Sequence, residues 1–464
     1  MNLWILTEEL PRKQTIKKII KEFLMLKKFQ EPDLEQLDIV PEIIENKFTF
    51  RYIVKNIECS KVSNIFIKVI SGSKSFVDYV IFFQENEPTP KDKPLIAIEE
   101  TKVDIEESRN VTAYQRNTKF VYLDYFFDNI KSRIIYFRDF PSEELNNTYS
   151  LKFGIRLLMT MGVTIWGIEN LDKYKLKRFE SYDELIEFKE AMPDPASGKK
   201  VTIIKEGNTI KINIKLDKGS GEAKNKISHD PNIGQAASII HCLRRLNWKG
   251  NIVLSGHNII QKNLSKAKSK LVCILLKESA LLEGLTMPSR FDLPKDYWTM
   301  DVKSEKIVTI FLQILLQRFK NVEAIFDNHA GCERGYLKLS NGELRDISKS
   351  IAVPDLIICD HNNKEILNIE GEIYSNVDDG LEQIKEFETI ENNHIKPNYP
   401  SYIINRFVVL YGGTGRNIQN ENVAFLLNAL GESVISENTP EIIKEATRDF
   451  SVISRRQKGL SDFI

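Results

Sequence analysis

Little in the composition ties this chain to a partner or a cofactor. Its 464 residues carry 65 basic and 65 acidic side chains, so no net charge draws it toward nucleic acid. A neutral total still leaves room for a nucleic-acid enzyme, because acidic sites and outer surfaces cancel a basic cleft and affinity rests on local phosphate contacts. Cys59, Cys242, Cys273, Cys332 and Cys359 are scattered without framework spacing, which argues against a disulfide scaffold and suits a reducing compartment. No window approaches the roughly 18 consecutive apolar residues of a membrane span, and the N-terminus lacks a signal-peptide layout. A cytoplasmic protein with no membrane partner is therefore expected. Gly219-Ser220-Gly221 has neither the lysine nor the strand-to-helix setting of a phosphate loop and reads as linker. No Ser-His-Asp or Cys-His pattern has supporting context.

What is present is one acidic pattern, twice. Phe76-Val77-Asp78-Tyr79-Val80-Ile81-Phe82-Phe83 is followed, after a charged loop, by Pro94-Leu95-Ile96-Ala97-Ile98-Glu99-Glu100-Thr101-Lys102. Val353-Pro354-Asp355-Leu356-Ile357-Ile358-Cys359 is followed, after a short turn, by Ile366-Leu367-Asn368-Ile369-Glu370-Gly371-Glu372. The runs around both aspartates are nearly continuously apolar, as in strands covered on both faces. A carboxylate embedded there is costly unless it is paired or holds a metal. The bland alternative is an acid-lined sheet edge.

Phosphodiester hydrolysis needs a divalent metal on hard oxygen ligands, a poised water and charge relief on the phosphoryl oxygens. Carboxylates on neighbouring strands supply such a cage. Two-residue spacing, as in Glu100-Thr101-Lys102, sends both side chains to one face of a strand. A lysine there can orient the water or offset phosphate charge.

These motifs resemble the PD-(D/E)XK nuclease superfamily and, within it, the type II restriction endonucleases. Pro354-Asp355 is the literal PD, and Glu370-Gly371-Glu372 is similar to the E-x-E variant of some of those enzymes. The resemblance implies a Mg²⁺-dependent cut in double-stranded DNA at a specific, asymmetric or symmetric, sequence, leaving 5′-phosphate ends. It implies a cognate DNA methyltransferase acting on the same site, and a monomer or homodimer. Asp78 and Glu100 would be metal ligands with Lys102 orienting water; Asp355 and Glu370 would be metal ligands in the second copy, with Glu333 as an additional upstream acid. Glu372 stands where lysine is usual and Val77 where proline is usual. Because a carboxylate donates no positive charge, the first copy is expected to be the more active.

The expected fold is α/β, with two restriction-endonuclease-like domains, each a central mixed sheet flanked by helices. They would span 1–217 and 226–464, divided by the polar stretch between Leu216 and Asn232. Before that stretch, Gly207-Asn208 predicts a hairpin between Val201–Lys205 and Thr209–Lys215. In the first half, a helix is expected over Pro11–Phe29 and strands over Phe48–Ile57, Asn64–Ile70, Phe76–Phe83 and Pro94–Glu100. A polar helix over Glu106–Asn117 and a strand over Lys119–Tyr125 follow. That helix carries Arg109, Asn110, Gln115 and Arg116, able to reach phosphates or base edges, or else forming a solvated face. In the second half the order is a helix (Ser304–Phe319), strands at Gly335–Leu339, Val353–Cys359 and Glu365–Glu370, a helix (Asp379–Glu391) and a strand (Arg406–Tyr411). The lysine-rich stretches Arg12–Lys28 and Lys262–Lys270 read as solvated faces. His329, Cys332, Cys359 and His361 have the chemistry of a zinc set, although buried cysteines and a turn histidine account for them.

Three functional readings follow. Both sites cut, one strand each; or one site cuts and the other half recognises or regulates; or the chain is a non-catalytic DNA-binding scaffold. A repair or anti-phage nuclease is the neighbouring enzyme reading.

Overall fold

The structure, a computed structural model, describes residues 1–7, 11–44, 47–70, 77–102, 112–127, 130–138, 149–193, 201–214, 231–256, 304–327, 337–338, 344–345, 351–413, 420–428 and 432–448. From the N-terminus come β1 (Asn2–Thr7), α1 (Lys13–Lys27), β2 (Asp38–Ile44), β3 (Lys47–Lys55), β4 (Ile65–Val69), β5 (Tyr79–Gln84), β6 (Ile96–Lys102) and α2 (Thr112–Phe126). Next are β7 (Ser132–Arg138), α3 (Tyr149–Thr160), β8 (Thr164–Trp166), α4 (Tyr182–Ala191), β9 (Val201–Glu206), β10 (Thr209–Ile214), α5 (Pro231–Arg245) and β11 (Asn251–Gly256). The remainder supplies α6 (Ser304–Leu316), β12 (Val322–Asp327), β13 (Leu337–Lys338), β14 (Leu344–Arg345), β15 (Leu356–Asp360), β16 (Glu365–Ile373), α7 (Val377–Gln383), β17 (Ile403–Tyr411), β18 (Val423–Leu427) and β19 (Ser433–Ile435). This is an α/β protein with mixed sheets flanked by helices. No helix among the described residues is long and apolar enough to cross a membrane.

The chain packs into two compact units, each gathered from separated stretches. One comprises Met1–Ser75, Ile81–Lys91 and Pro294–Ile464; the other comprises Phe76–Val80 and Asp92–Leu293. The division expected between 217 and 226 falls within the second unit, and residues 215–230 lie outside the described ones.

In the first unit, α1 buries Ile16, Ile19, Ile20, Phe23 and Leu24, the i, i+3, i+4, i+7, i+8 stripe of an amphipathic helix. It stops at Lys28, whose left-handed backbone turns its N–H back onto the Leu24 and Met25 carbonyls. Strands run in the order β2-β3-β4-β1, antiparallel except for the parallel β4–β1 pair. A six-stranded sheet has the order β12-β15-β16-β17-β18-β19, with β15 antiparallel and β17 parallel to β16. Helix α6 is apolar almost all round and wholly buried from Ile307 to Leu316, as a helix inside a core must be. It stacks Phe311 on Phe425 of β18. The opposite face of the sheet is covered by α7 and the helical turns that continue to Ile395, through Ile384, Phe387, Ile390 and Ile395. The strands of this sheet that lie between α6 and α7 in the chain are β12, β15 and β16. Residues 337–338, within the strand expected at Gly335–Leu339, instead pair with β14 in a separate small ribbon.

In the second unit β6, β7 and β8 are parallel, which requires crossovers; α2 and α3 supply them. β9 and β10 form the expected hairpin, with Gly207 at φ +56°, the left-handed value that a tight two-residue turn needs. β11 joins β10 in parallel after α5. The strand expected at Lys119–Tyr125 is the second half of α2. Its Phe, Val and Tyr residues favour strands locally, but Tyr114, Asn117, Phe120, Val121 and Leu123 are buried at helical spacing against α3 and α5. Gly234 of α5 lets the helices touch: a Cβ there would sit 2.8 Å from the Tyr114 carbonyl oxygen.

Candidate active sites

β6 is buried from Ile96 to Thr101, so both of its glutamates are buried on opposite faces and each needs a counter-charge. Glu99 is 0% exposed and Asp78 1% exposed. Glu99 faces α2, where Arg116 Nη1 lies 2.6 Å from Oε1, and Lys119 Nζ lies 2.7 Å from Oε1 and 2.9 Å from Oε2. The same ammonium is 3.9 Å from Asp78 Oδ1. Asp78 Oδ2 accepts the backbone N–H of Glu100 at 2.6 Å, which fixes its carboxylate against β6. Two carboxylates and two cations thus form one buried cluster. Glu100 turns its side chain the other way: Oε1 is 2.5 Å from Arg138 Nη1 of β7, without hydrogen-bond alignment, and Oε2 accepts the Tyr79 hydroxyl at 3.3 Å.

The second site repeats this arrangement. Leu356 pairs with Ile369, which puts Asp355 beside Glu370, and Gly371 N lies 3.4 Å from Asp355 Oδ2. As in the first site, an aspartate takes the amide one residue past a glutamate on the next strand. Asp355, Glu370 and Glu372 are all buried. Glu372 lies under α7, where Gly380 permits close approach: a Cβ there would be 2.8 Å from Glu372 Cγ and 3.0 Å from Val408 Cγ1. Earlier on the same strand face, Asn368 donates to Glu391 Oε1 at 2.8 Å. Arg406 grips Glu391 with two bonds of 2.7 and 2.6 Å, and that hydrogen-bonded pairing raises the guanidinium pKa further.

In both sites the acids sit toward the C-terminal end of a strand that has a parallel neighbour across a helical crossover: β6 beside β7, and β16 beside β17. Open α/β sheets bind ligands at that end.

The expected first-site trio is therefore rearranged. Glu99, not Glu100, shares the Asp78 face, because adjacent residues on a strand point to opposite sides. Glu100 contributes its backbone N–H to the aspartate and its carboxylate to Arg138. Lys102 closes β6, but its side chain lies outside the described residues, as do Arg109, Asn110, Glu333 and the Gln115 side chain. Arg116, read as able to reach phosphates or base edges or else as part of a solvated face, is paired with Glu99. Asp355, Glu370 and Glu372 do share one face.

Sequence reading missed Glu99 and Lys119. The available signal was the Arg116–Lys119 spacing of three, which puts both cations on one face only if the segment is helical.

Among the described residues no group of three or more His, Cys, Asp or Glu could hold a metal ion. A pair of carboxylates still fits Mg²⁺, which keeps several waters and takes further oxygens from substrate phosphates. Asp355 and Glu370 meet that requirement. Asp78 and Glu99 do not as they stand, with the Lys119 ammonium between them.

Cys359 and His361 do meet, Sγ 3.6 Å from Nδ1, with Tyr402 Oη and Glu323 Oε1 each 2.9 Å from the imidazole. Burial, then the charges of Glu323 and Asp360, push the thiol up to about 12, which disfavours a free thiolate nucleophile. His329 and Cys332 lie outside the described residues. A cavity of about 600 Å³ beside β8, lined by Val163, Ile165, Ile168 and Leu176, contains none of the acids of either site. No family model, curated protein or solved structure matches this chain.

Proposed function

We propose that the protein is a Mg²⁺-dependent type II restriction endonuclease, with two restriction-endonuclease-like units, that hydrolyses phosphodiester bonds in double-stranded DNA at a specific sequence and leaves 5′-phosphate ends. The observation that carries this reading is the recurrence of one buried arrangement, an aspartate anchored on the amide that follows a glutamate, in two differently built units. A carboxylate pair buried once has structural explanations. Its repetition at the same end of a strand–helix–strand unit supports reading the second pair, the one that fits Mg²⁺, as a ligand site.

Asp355 and Glu370 would hold the Mg²⁺, which when bound polarises the phosphoryl group and makes water a stronger nucleophile at neutral pH. The Gly371 amide orients Asp355, so its oxygen is pre-set for an ion and little reorganisation is needed. Glu372, two residues on along the same face, is positioned to accept a proton from attacking water. In the first site Lys119 supplies positive charge beside the acids. This favours the second reading: one site cuts, and the other holds DNA phosphate or regulates. A cognate methyltransferase and a cytoplasmic location belong to the same proposal.

The test incubates purified protein with methylated and unmethylated phage DNA, with Mg²⁺ and with chelator, and sequences the fragment ends. Discrete Mg²⁺-dependent fragments that share a motif and disappear in Asp355→Asn support the proposal. A smear would turn it toward a structure-directed or repair nuclease, and intact DNA in every condition would sink it in favour of the scaffold.

A further inference from the structure

We propose that Lys119 is the resident counter-ion of the Asp78–Glu99 pair and keeps that site closed to divalent cations. The inference rests on the nuclease reading only for the class of cation; the exclusion follows from the first site's own geometry.

Both oxygens of Glu99 are engaged. Oε1 lies 2.6 Å from Arg116 and 2.7 Å from Lys119, and Oε2 lies 2.9 Å from Lys119. Of Asp78, Oδ2 is held by the Glu100 amide at 2.6 Å, and Oδ1 faces Lys119 at 3.9 Å. A Mg²⁺ or Mn²⁺ ion sits about 2.0–2.2 Å from its carboxylate oxygens, inside the space the ammonium occupies. Two cations cannot share it, because desolvated like charges at such distances repel strongly. The ion would have to displace Lys119.

Displacement is hindered because Lys119 is not a surface lysine. Its side chain is 11% exposed, and the helix that carries it is tied down along its length. The Tyr114 hydroxyl donates to Ser150 O at 3.0 Å, Asn117 Nδ2 to Gly154 O at 3.1 Å, and Asp124 binds Arg133, His241 and Arg245. Lys119 cannot withdraw by a shift of α2 without breaking these bonds. The protein's own cation therefore fills the position that a catalytic metal would take.

The experiment is a Mn²⁺ titration read by loss of the free-ion electron paramagnetic resonance signal, with no DNA present. In the Asp355→Asn/Glu370→Gln background, which removes the second pair, Lys119-containing protein is expected to bind no Mn²⁺. Adding Lys119→Gln should create one Mn²⁺ site per chain, lost again on adding Asp78→Asn. Lys119→Arg should leave the site closed, which separates charge from packing. If Lys119→Gln does not fold, Lys119→Met keeps the apolar stem and carries the same expectation. Mn²⁺ bound by the Asp355→Asn/Glu370→Gln protein and abolished by Asp78→Asn would overturn the proposal, as would failure of the folded Lys119 variants to gain a site. Failure of the nuclease reading shows separately: wild type would neither bind Mn²⁺ at the second pair nor cut DNA, while the gain on removing Lys119 would persist.

Discussion

The two acidic sites share the placement of their acids and differ in the helix that crosses over them. Each has an aspartate held by a main-chain amide and a glutamate on the neighbouring strand. Around Asp78 and Glu99 the crossover helix brings Arg116 and Lys119 directly onto the carboxylates. Around Asp355 and Glu370 the strand that carries Glu370 adds a third acid, Glu372, and the crossover helix brings Gly380, while Arg406 is engaged by Glu391. The first site is thus a buried cluster of acids and cations, and the second gathers three buried acids at two adjoining strands. The helix between the parallel strands sets which side chains meet the acids: cations in the first site, a glycine in the second.

Several substitutions would break or sharpen this contrast. The largest effect is expected at the second site: Asp355→Asn or Glu370→Gln should reduce DNA cleavage by about 10³-fold or more, the order seen when a key electrostatic stabiliser is removed. Time courses on a supercoiled plasmid would measure it; cleavage that survives these changes but not Asp78→Asn would reverse the ranking of the sites. Next, Glu99→Gln leaves Arg116 and Lys119 facing a neutral amide in a buried site. Urea unfolding should show a loss of about 3 kcal/mol, the scale of breaking a buried pair from one side. Glu100→Gln should preserve the anchoring of Asp78, because that bond comes from the main chain, and loss of the Mn²⁺ site gained on removing Lys119 in Glu100→Gln as in Asp78→Asn would contradict the face assignment.

A smaller effect tests the anchoring of the helix that carries Lys119. Burial raises the Asp124 pKa, but the His241 hydrogen bond and the charges of Arg133, His241 and Arg245 outweigh it and leave the carboxyl below its usual range. A carboxyl held low stabilises the fold at pH above its unfolded value, and that contribution is lost as pH falls through the folded value. Asp124→Asn should therefore cost about 2 kcal/mol near neutral pH, with the gap to wild type closing in acid. A gap that stays constant down to strongly acidic pH would rule out the ionic tie. The smallest change is Gly380→Ala, which presses a methyl group on Glu372 and Val408 and should cost about 1–2 kcal/mol by overpacking. Thermal melts would read it, and an unchanged melting temperature would mean that α7 yields freely.

The sequence was legible where one signal sufficed. Nearly continuous apolar runs located β5, β6, β15 and β16, the Gly207-Asn208 pair located a hairpin, and helical periodicity located α1 and α6. It misled where local preference and tertiary packing disagreed. Phe120, Val121 and Tyr122 favour a strand, yet their segment is the helix that delivers Lys119, because burial against α3 and α5 outweighs a modest intrinsic preference. β12 was overlooked in favour of Gly335–Leu339, of which the described residues 337–338 pair in a separate ribbon.

By itself, then, the sequence determined that carboxylates would lie on buried strands, because an apolar run with an acid inside it has few other folded states. Which glutamate of Glu99-Glu100 meets Asp78 was left to the tertiary structure. A strand covered on both faces shows no alternation from which a face can be read. The pairing of Lys119 with Glu99 was likewise decided only there, since a contact across 20 residues depends on how a crossover helix docks, which local patterning does not encode.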